Sequence, residues 1–280
     1  MDKAQKKRRA IQAGFAAITN SNVYGLVSGS IYRGKLKALC VPGLNCYSCP
    51  ASVASCPMGA LQAVLSNAGY YFSFYVYGYL IIAGMLFGRL VCGFLCPFGL
   101  LQELLHKAPA RQKPKEAPKY MKFLRSIKYF VLAFAIILPI AIPNAAGGGQ
   151  PWFCKLICPA GTLQAGIPLL ILNSALRKAA GFLFSWKLAI LAATLILSTA
   201  TFRPFCKYAC PLGAIYAMLN KVSLYSYSID GSLCTNCMEC SRICPMQANI
   251  RQNPNSAECI RCGACKDACK TKAISSGYRR

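Results

Sequence analysis

Apolar residues gather in four long runs along this chain, and short polar, cysteine-bearing turns stand at their ends. The runs cover residues 10–31, 70–91, 127–142 and 182–200, and each is about long enough to cross the roughly 30 Å of a bilayer's hydrocarbon core as a helix. The first is the weakest, since Thr19-Asn-Ser-Asn22 interrupts it. No small-residue cleavage site precedes the cysteines, so it reads as a retained helix rather than a signal peptide. The second opens on aromatic residues, as an interfacial belt does, and contains Gly84-xxx-Gly88, which fits a helix-packing notch or chance in a glycine-rich chain. The third ends at Pro143 and Gly147-Gly-Gly149. Short apolar segments at 59–66, 162–172 and 213–224 are too brief to span and read as re-entrant or interfacial half-helices.

One phrase recurs at the run exits. Cys92-Gly-Phe-Leu-Cys96-Pro97-Phe-Gly99, Cys154-Lys-Leu-Ile-Cys158-Pro159-Ala-Gly161 and Cys206-Lys-Tyr-Ala-Cys210-Pro211-Leu-Gly213 are full copies. A degraded copy ends in Cys56-Pro57-Met-Gly59, with Ser52 in the first cysteine's place and Cys40, Cys46 and Cys49 upstream. Leu61-Gln62, Leu101-Gln102 and Leu163-Gln164 follow their glycines at one spacing. A proline directly after a cysteine suits the first turn of a helix. The spacing therefore predicts paired cysteines at helix N-termini, where free N–H groups favour thiolates and anionic clusters.

The polar tail carries Cys234-x2-Cys237-x2-Cys240-x3-Cys244-Pro245 and then Cys259-x2-Cys262-x2-Cys265-x3-Cys269. This double run is the two-cluster bacterial ferredoxin spacing, whose fourth cysteine ligates the other cluster. It predicts Cys234, Cys237, Cys240 and Cys269 on one cluster and Cys259, Cys262, Cys265 and Cys244 on a second. Lys270 stands where a second proline would be. Zinc sites do not use this double spacing.

Composition narrows the class. At 55% hydrophobic and with a mean hydropathy of +0.40, the 280-residue chain reads as an integral membrane protein. Its 18 cysteines are spaced as ligands, unlike a secreted disulfide framework. The excess of 32 basic over 7 acidic residues fits cytoplasmic-side Lys and Arg better than nucleic-acid binding, for no groove-reading motif is present. Much of it lies in residues 107–128, where Lys107, Arg111, Lys113, Lys115, Lys119, Lys122, Arg125 and Lys128 accompany three prolines, which predicts a cytoplasmic loop. With one histidine, His106, the chain alone cannot build a bis-histidine haem. None of the acidic residues lies in an apolar run, so the carboxylate relay of an ion pump is missing.

These features predict an all-α polytopic domain over 1–227, with about four spans plus half-helices in pseudo-symmetric repeats. A small α+β two-cluster ferredoxin domain follows over 228–280. With both termini cytoplasmic, the Cys92 and Cys206 motifs fall inside and the Cys46–Cys56 and Cys154 motifs outside. Cys92, Cys96, Cys206 and Cys210 then supply the four ligands of an inner [4Fe–4S] cluster. Cys154, Cys158, Cys49 and Cys56 are the expected outer set, with Cys40 and Cys46 as alternative ligands, a disulfide, or part of a further cluster. Four clusters are expected in all.

The Cys-x3-Cys-Pro motifs joined to a C-terminal two-cluster ferredoxin resemble a family of membrane polyferredoxins. That family includes the quinol dehydrogenase membrane subunit of periplasmic nitrate reductase, the membrane part of the nitrous-oxide reductase regulator, and the cupric reductase of cytochrome oxidase assembly. The resemblance covers most of residues 70–270. It implies transmembrane electron transfer on iron–sulfur clusters in a bacterial or archaeal cytoplasmic membrane. The partners expected are a cytoplasmic ferredoxin, flavodoxin or other acidic carrier, and an extracytoplasmic redox protein or membrane partner subunit. Two rival functions stand beside transmembrane electron transfer between those partners: a membrane quinol dehydrogenase or metal-ion reductase, and a redox sensor or assembly factor. A quinone site would draw on Glu103 and His106, although an exposed pair on an amphipathic helix is the simpler reading of those two.

Overall fold

A computed structural model describes residues 3–67, 73–107, 120–142 and 149–279. The middle of the basic loop, the start of the second apolar run, and Gly147 and Gly148 lie outside the described residues.

The chain is mostly helical. It opens with α1 (Lys3–Thr19) and α2 (Val23–Ser28), and the expected first span is therefore broken. Asn20 and Asn22 mark the break: Asn20 turns its side-chain amide back onto the Ala16 carbonyl, and Asn22 donates across to the carbonyl of Pro50. An irregular cysteine-rich segment follows and leads into α3 (Pro57–Leu65). The second run forms α4 (Phe74–Phe87), which stops where Gly88 takes φ +53, and then α5 (Leu90–Phe94) and α6 (Pro97–Lys107). The third is α7 (Tyr120–Ala141). The third motif occupies α8 (Trp152–Leu156) and α9 (Pro159–Gly161), and a π-helical turn at Thr162–Gly166 joins α9 to α10 (Ile167–Leu172). After α11 (Ser174–Lys178) and α12 (Phe182–Ala200) come α13 (Pro204–Tyr208) and α14 (Pro211–Leu219).

Among the described residues two helices are long and apolar enough to cross a membrane, over Phe123–Ala141 and Phe182–Ala200; Phe74–Phe87 and Pro159–Leu172 are apolar but shorter. Helices α4 and α7 pack on α14, while α12 and α1 pack on α6. Gly84 and Gly88 let α4 approach this closely. A Cβ on Gly84 would fall 2.2 Å from Leu219 Cδ1, and one on Gly88 2.4 Å from Asn220 Oδ1.

The tail forms a two-stranded antiparallel sheet, β1 (Tyr225–Ile229) with β2 (Ile274–Tyr278), paired from Tyr225↔Tyr278 to Ile229↔Ile274. Strand β1 thus starts ahead of the expected boundary at 228. Helices α15 (Glu239–Arg242) and α16 (Ala264–Ala268) lie between the strands. The two cysteine runs share one backbone path. Asn236 and Met238 in the first, and Arg261 and Gly263 in the second, take left-handed φ at matching places, as do Gln247 and Lys272 after each fourth cysteine. Non-glycine residues seldom adopt that conformation, so its repetition at matching places marks a duplicated unit.

This unit does not hang free. Arg261 donates to the carbonyls of Phe87 (2.8 Å) and Asn220 (2.9 Å), and Asn220 donates to the carbonyls of Ser256 (2.6 Å) and Cys259 (3.1 Å). Arg125 donates to Met246 O (3.2 Å), and Lys128 reaches Glu258 at 2.5 Å. Arg125 and Lys128, expected in a loop, belong instead to the first half of α7. They spend their charge on this chain's own ferredoxin unit.

Candidate iron–sulfur sites

In the ferredoxin unit, one small cavity is lined by Cys244, Cys259, Cys262 and Cys265, and a second by Cys234, Cys237, Cys240 and Cys269. Those are the crossed sets that the spacing predicts. The amide of Ala248 donates to Cys244 Sγ at 3.4 Å. Burial pushes the Cys259 thiol up to about 12, so a bare thiolate is costly there. Bound iron would supply the compensating positive charge.

Cys92, Cys96, Cys206 and Cys210 are all buried, and their thiols lie near enough to act on one another electrostatically. Each second cysteine precedes a helix that begins with its proline. The amides of Gly99 and Gly213 donate to the sulfurs of Cys96 (3.4 Å) and Cys210 (3.3 Å). Gly161 does the same for Cys158 at 3.4 Å. The repeated glycine therefore brings an N–H onto the cysteine three residues before it, a contact that stabilises negative sulfur.

The recurring glutamines tie the motifs together in pairs. Gln102 Oε1 accepts from the amide of Phe205 (3.1 Å), and its Nε2 donates to Cys206 Sγ (3.3 Å). Gln62 Oε1 accepts from the amide of Cys154 (3.0 Å), and Gln164 Oε1 from that of Cys46 (2.7 Å). The second motif is thus held to the fourth and the first to the third. In the fourth copy Tyr216 takes the glutamine's place, fully buried, and donates to Pro42 O at 3.1 Å.

The first–third pairing closes a larger cavity of about 330 Å³, whose walls include Cys46, Cys56, Cys154 and Cys158 along with Tyr47 and Lys187. Cys49, the expected ligand, is not among its lining residues, whereas Cys46 is. Gln164 accounts for the position of Cys46, since its bond to the Cys46 amide holds that loop against the third motif. Cys49 is buried beside Lys37, and Cys40 lies in a short bridge to Ser55, its amide bonded to the Tyr75 hydroxyl at 3.0 Å. No disulfide joins any of the eighteen cysteines, Cys40 and Cys46 included.

Glu103 and His106 are buried, contrary to the exposed pair expected. Glu103, 1% exposed, receives Arg8 (2.6 Å), Arg9 (3.3 Å) and Arg203 (2.7 Å). His106 Nδ1 stands 3.2 Å from Ser198 O. The apolar register of α6 hid this role, because no spacing rule shows that arginines over a hundred residues apart would converge on one carboxylate.

Among the described residues no three Cys, His, Asp or Glu side chains converge on a single metal ion. Thiols set around a cavity suit a cubane instead, in which each iron takes one cysteine. Fold and sites together define a protein that binds multiple [4Fe–4S] clusters. A 4Fe-4S binding domain matches residues 72–116, 129–173 and 182–225, and a 4Fe-4S dicluster domain matches 226–270. An uncharacterised protein of Methanocaldococcus jannaschii is 28% identical over 71% of this chain and 76% of its own length. The ferredoxin-type protein NapH of Escherichia coli is 24% identical over 65% of this chain and 59% of its own. The regulatory protein NosR of Pseudomonas aeruginosa is 30% identical over 59% of this chain, which spans only 21% of NosR. No solved structure matches. The chain belongs to the polyferredoxin-type membrane electron-transport proteins.

Proposed function

We propose that this chain is a transmembrane electron wire, passing electrons between a cytoplasmic low-potential carrier and an extracytoplasmic acceptor. The observation that supports it is the order of the cysteine sets. Cys244 and Cys262 of the ferredoxin unit pack against the same buried core that contains Cys92, Cys96 and Cys210, and that core continues to Cys56 and Cys158. Bound [4Fe–4S] clusters supply one-electron redox steps over a wide range of potential. The chain's own residues fix the sites and keep water out.

On this reading Cys92, Cys96, Cys206 and Cys210 hold an inner cluster, and Cys46, Cys56, Cys154 and Cys158 an outer one, beyond the two of the ferredoxin domain. The segment 41–45 lies between the two sets. A Cβ on Gly43 would fall 2.8 Å from Cys96 Cα. Cys46 follows three residues later, so the Cys46 and Cys96 Cα atoms are at most roughly 15 Å apart by chain reach. Tyr216 fills the space between, near Cys92, Cys96 and Cys56. Two sets this close would break the crossing of a hydrocarbon core of about 30 Å into shorter hops.

The chain is multi-pass on this reading. Helices α7 and α12 cross, and α4 with the α9–α10 segment supplies shorter membrane-embedded pieces around the sites. The ferredoxin unit faces the cytoplasm, beside the basic residues. A terminal reductase is the second reading, and the room at the outer set favours it: about 330 Å³ there, against about 10 and 30 Å³ at the ferredoxin sets.

The test is reduction of the purified protein in nanodiscs by a low-potential ferredoxin, followed by EPR. Cys96→Ala and Cys210→Ala should each remove the same cluster, leave the ferredoxin signals reducible, and stop reduction of the outer cluster. Loss of different clusters in the two variants would refute the pairing.

A further inference from the structure

An arginine stands three residues ahead of each inner cysteine pair: Arg89 before Cys92, and Arg203 before Cys206. Both side chains are fully buried. Each crosses to the opposite motif. Arg203 Nη1 donates to the carbonyl of Cys92, and Arg89 Nη2 donates to the carbonyl of Cys206 at 3.1 Å. Each also covers the opposite Cys-Pro turn. A Cβ on Gly99 would meet Arg203 Nη1 at 2.8 Å, and one on Gly213 would meet Arg89 Nη2 at 3.6 Å.

Carboxylates hold the far ends of both guanidinium groups, Glu103 on Arg203 at 2.7 Å and Glu258 on Arg89 at 2.9 Å. The Nε atoms of Arg89 and Arg203 nevertheless have no hydrogen-bond partner, as is also the case for Arg125 and Arg261 on the ferredoxin side. A buried charged N–H without an acceptor is costly, and native folds rarely leave one so. Two of the four occur in symmetric positions around one set of four thiols. The outer motifs lack the device: Gly43 precedes Cys46 and Pro151 precedes Cys154 at the same spacing. Lys187, which donates to Cys154 O at 3.2 Å, is the cation nearest that role.

We propose that Arg89 and Arg203 form a reciprocal clamp that sets the reduction potential of the inner cluster, holding it above that of the outer cluster. The inference rests on the reading that Cys92, Cys96, Cys206 and Cys210 bind a cluster. Reduction adds one negative charge. A guanidinium stays protonated at any working pH, and in a buried site its charge is little screened. Nearby charge and N–H donors to sulfur are established levers on cluster potential. The clamp favours the step by which an electron leaves the ferredoxin unit for the inner position, from which it passes on to the outer one.

The experiment is potentiometric EPR titration of the full chain in nanodiscs. Arg89→Gln and Arg203→Gln should each lower the inner midpoint by about 59 mV or more, a tenfold change in a one-electron equilibrium. The two ferredoxin signals should not move. Arg89→Lys and Arg203→Lys, which keep the charge, should recover most of the shift. In the unaltered protein the inner cluster should titrate above the outer. Unchanged midpoints in loaded Gln variants, or the reverse order in the unaltered protein, would overturn the clamp. Should the Gln variants not assemble the inner cluster, the order in the unaltered protein decides. If the unaltered protein itself has no inner cluster, the underlying reading fails instead.

Discussion

Gln62 accepts a 3.0 Å hydrogen bond from the amide of Cys154, while Gln164 accepts one of 2.7 Å from the amide of Cys46. Two repeats thus hold each other's cysteine loops. Replacing Gln62 or Gln164 with Leu leaves an amide without its acceptor, at about 1–3 kcal/mol each. EPR of either variant should show the outer cluster weakened or lost and the other signals intact. Gln102→Leu should instead affect the inner cluster. Equal damage to both clusters from any one substitution would show that the glutamines serve general folding alone.

Cys46 and Cys49 should behave differently. Cys46→Ala should remove the outer cluster's signal, whereas Cys49→Ala, whose side chain is outside the cavity wall, should retain it. Loss of that signal in Cys49→Ala alone would return the ligand role to Cys49.

Glu258 joins the ferredoxin unit to α7 and to the second motif, at 2.5 Å from Lys128 and 2.9 Å from Arg89. Burial alone would push its carboxyl up, but Arg89 and Lys128 outweigh that and hold it below the usual carboxylate range. Its contribution to stability is therefore present above the ordinary carboxylate pKa and disappears as pH falls through the lowered value. Glu258→Gln leaves two buried cations unneutralised, a loss on the order of 3–5 kcal/mol. Thermal unfolding followed from neutral to acid pH should show a lower Tm for the variant at neutral pH and convergence with the unaltered protein in acid. A constant gap at all pH values would deny the charge role.

Tyr216 is fully buried between the inner and outer sets and donates to Pro42 O. Tyr216→Phe removes one hydrogen bond, about 1 kcal/mol, and keeps the packing. Electron transfer to the outer cluster should survive it. Loss of that transfer, with both clusters loaded, would mean that the hydroxyl takes part in the electron route.

How far the sequence could be read depended on whether a signal was local. The crossed ferredoxin sets follow from spacing within a short run, and the cavities are lined by those same residues. The Cys-Pro turns were equally legible, because proline and glycine act on their immediate neighbours. The broken first helix was half visible in Thr19–Asn22. That Cys46 rather than Cys49 lines the outer cavity was hidden, since it turns on Gln164, more than a hundred residues away. So was the burial of Glu103, which depends on Arg8 and Arg203 arriving from opposite ends of the chain. The Arg-x2-Cys spacing shared by Arg89 and Arg203 was printed in the sequence, yet it becomes meaningful only once the two motifs face each other.

Iron content tests the central claim most directly. Anaerobically purified chain, analysed for iron and acid-labile sulfide, should contain roughly sixteen of each if all four cysteine sets hold cubanes. A value near eight would leave only the ferredoxin clusters, and with them no route across the membrane.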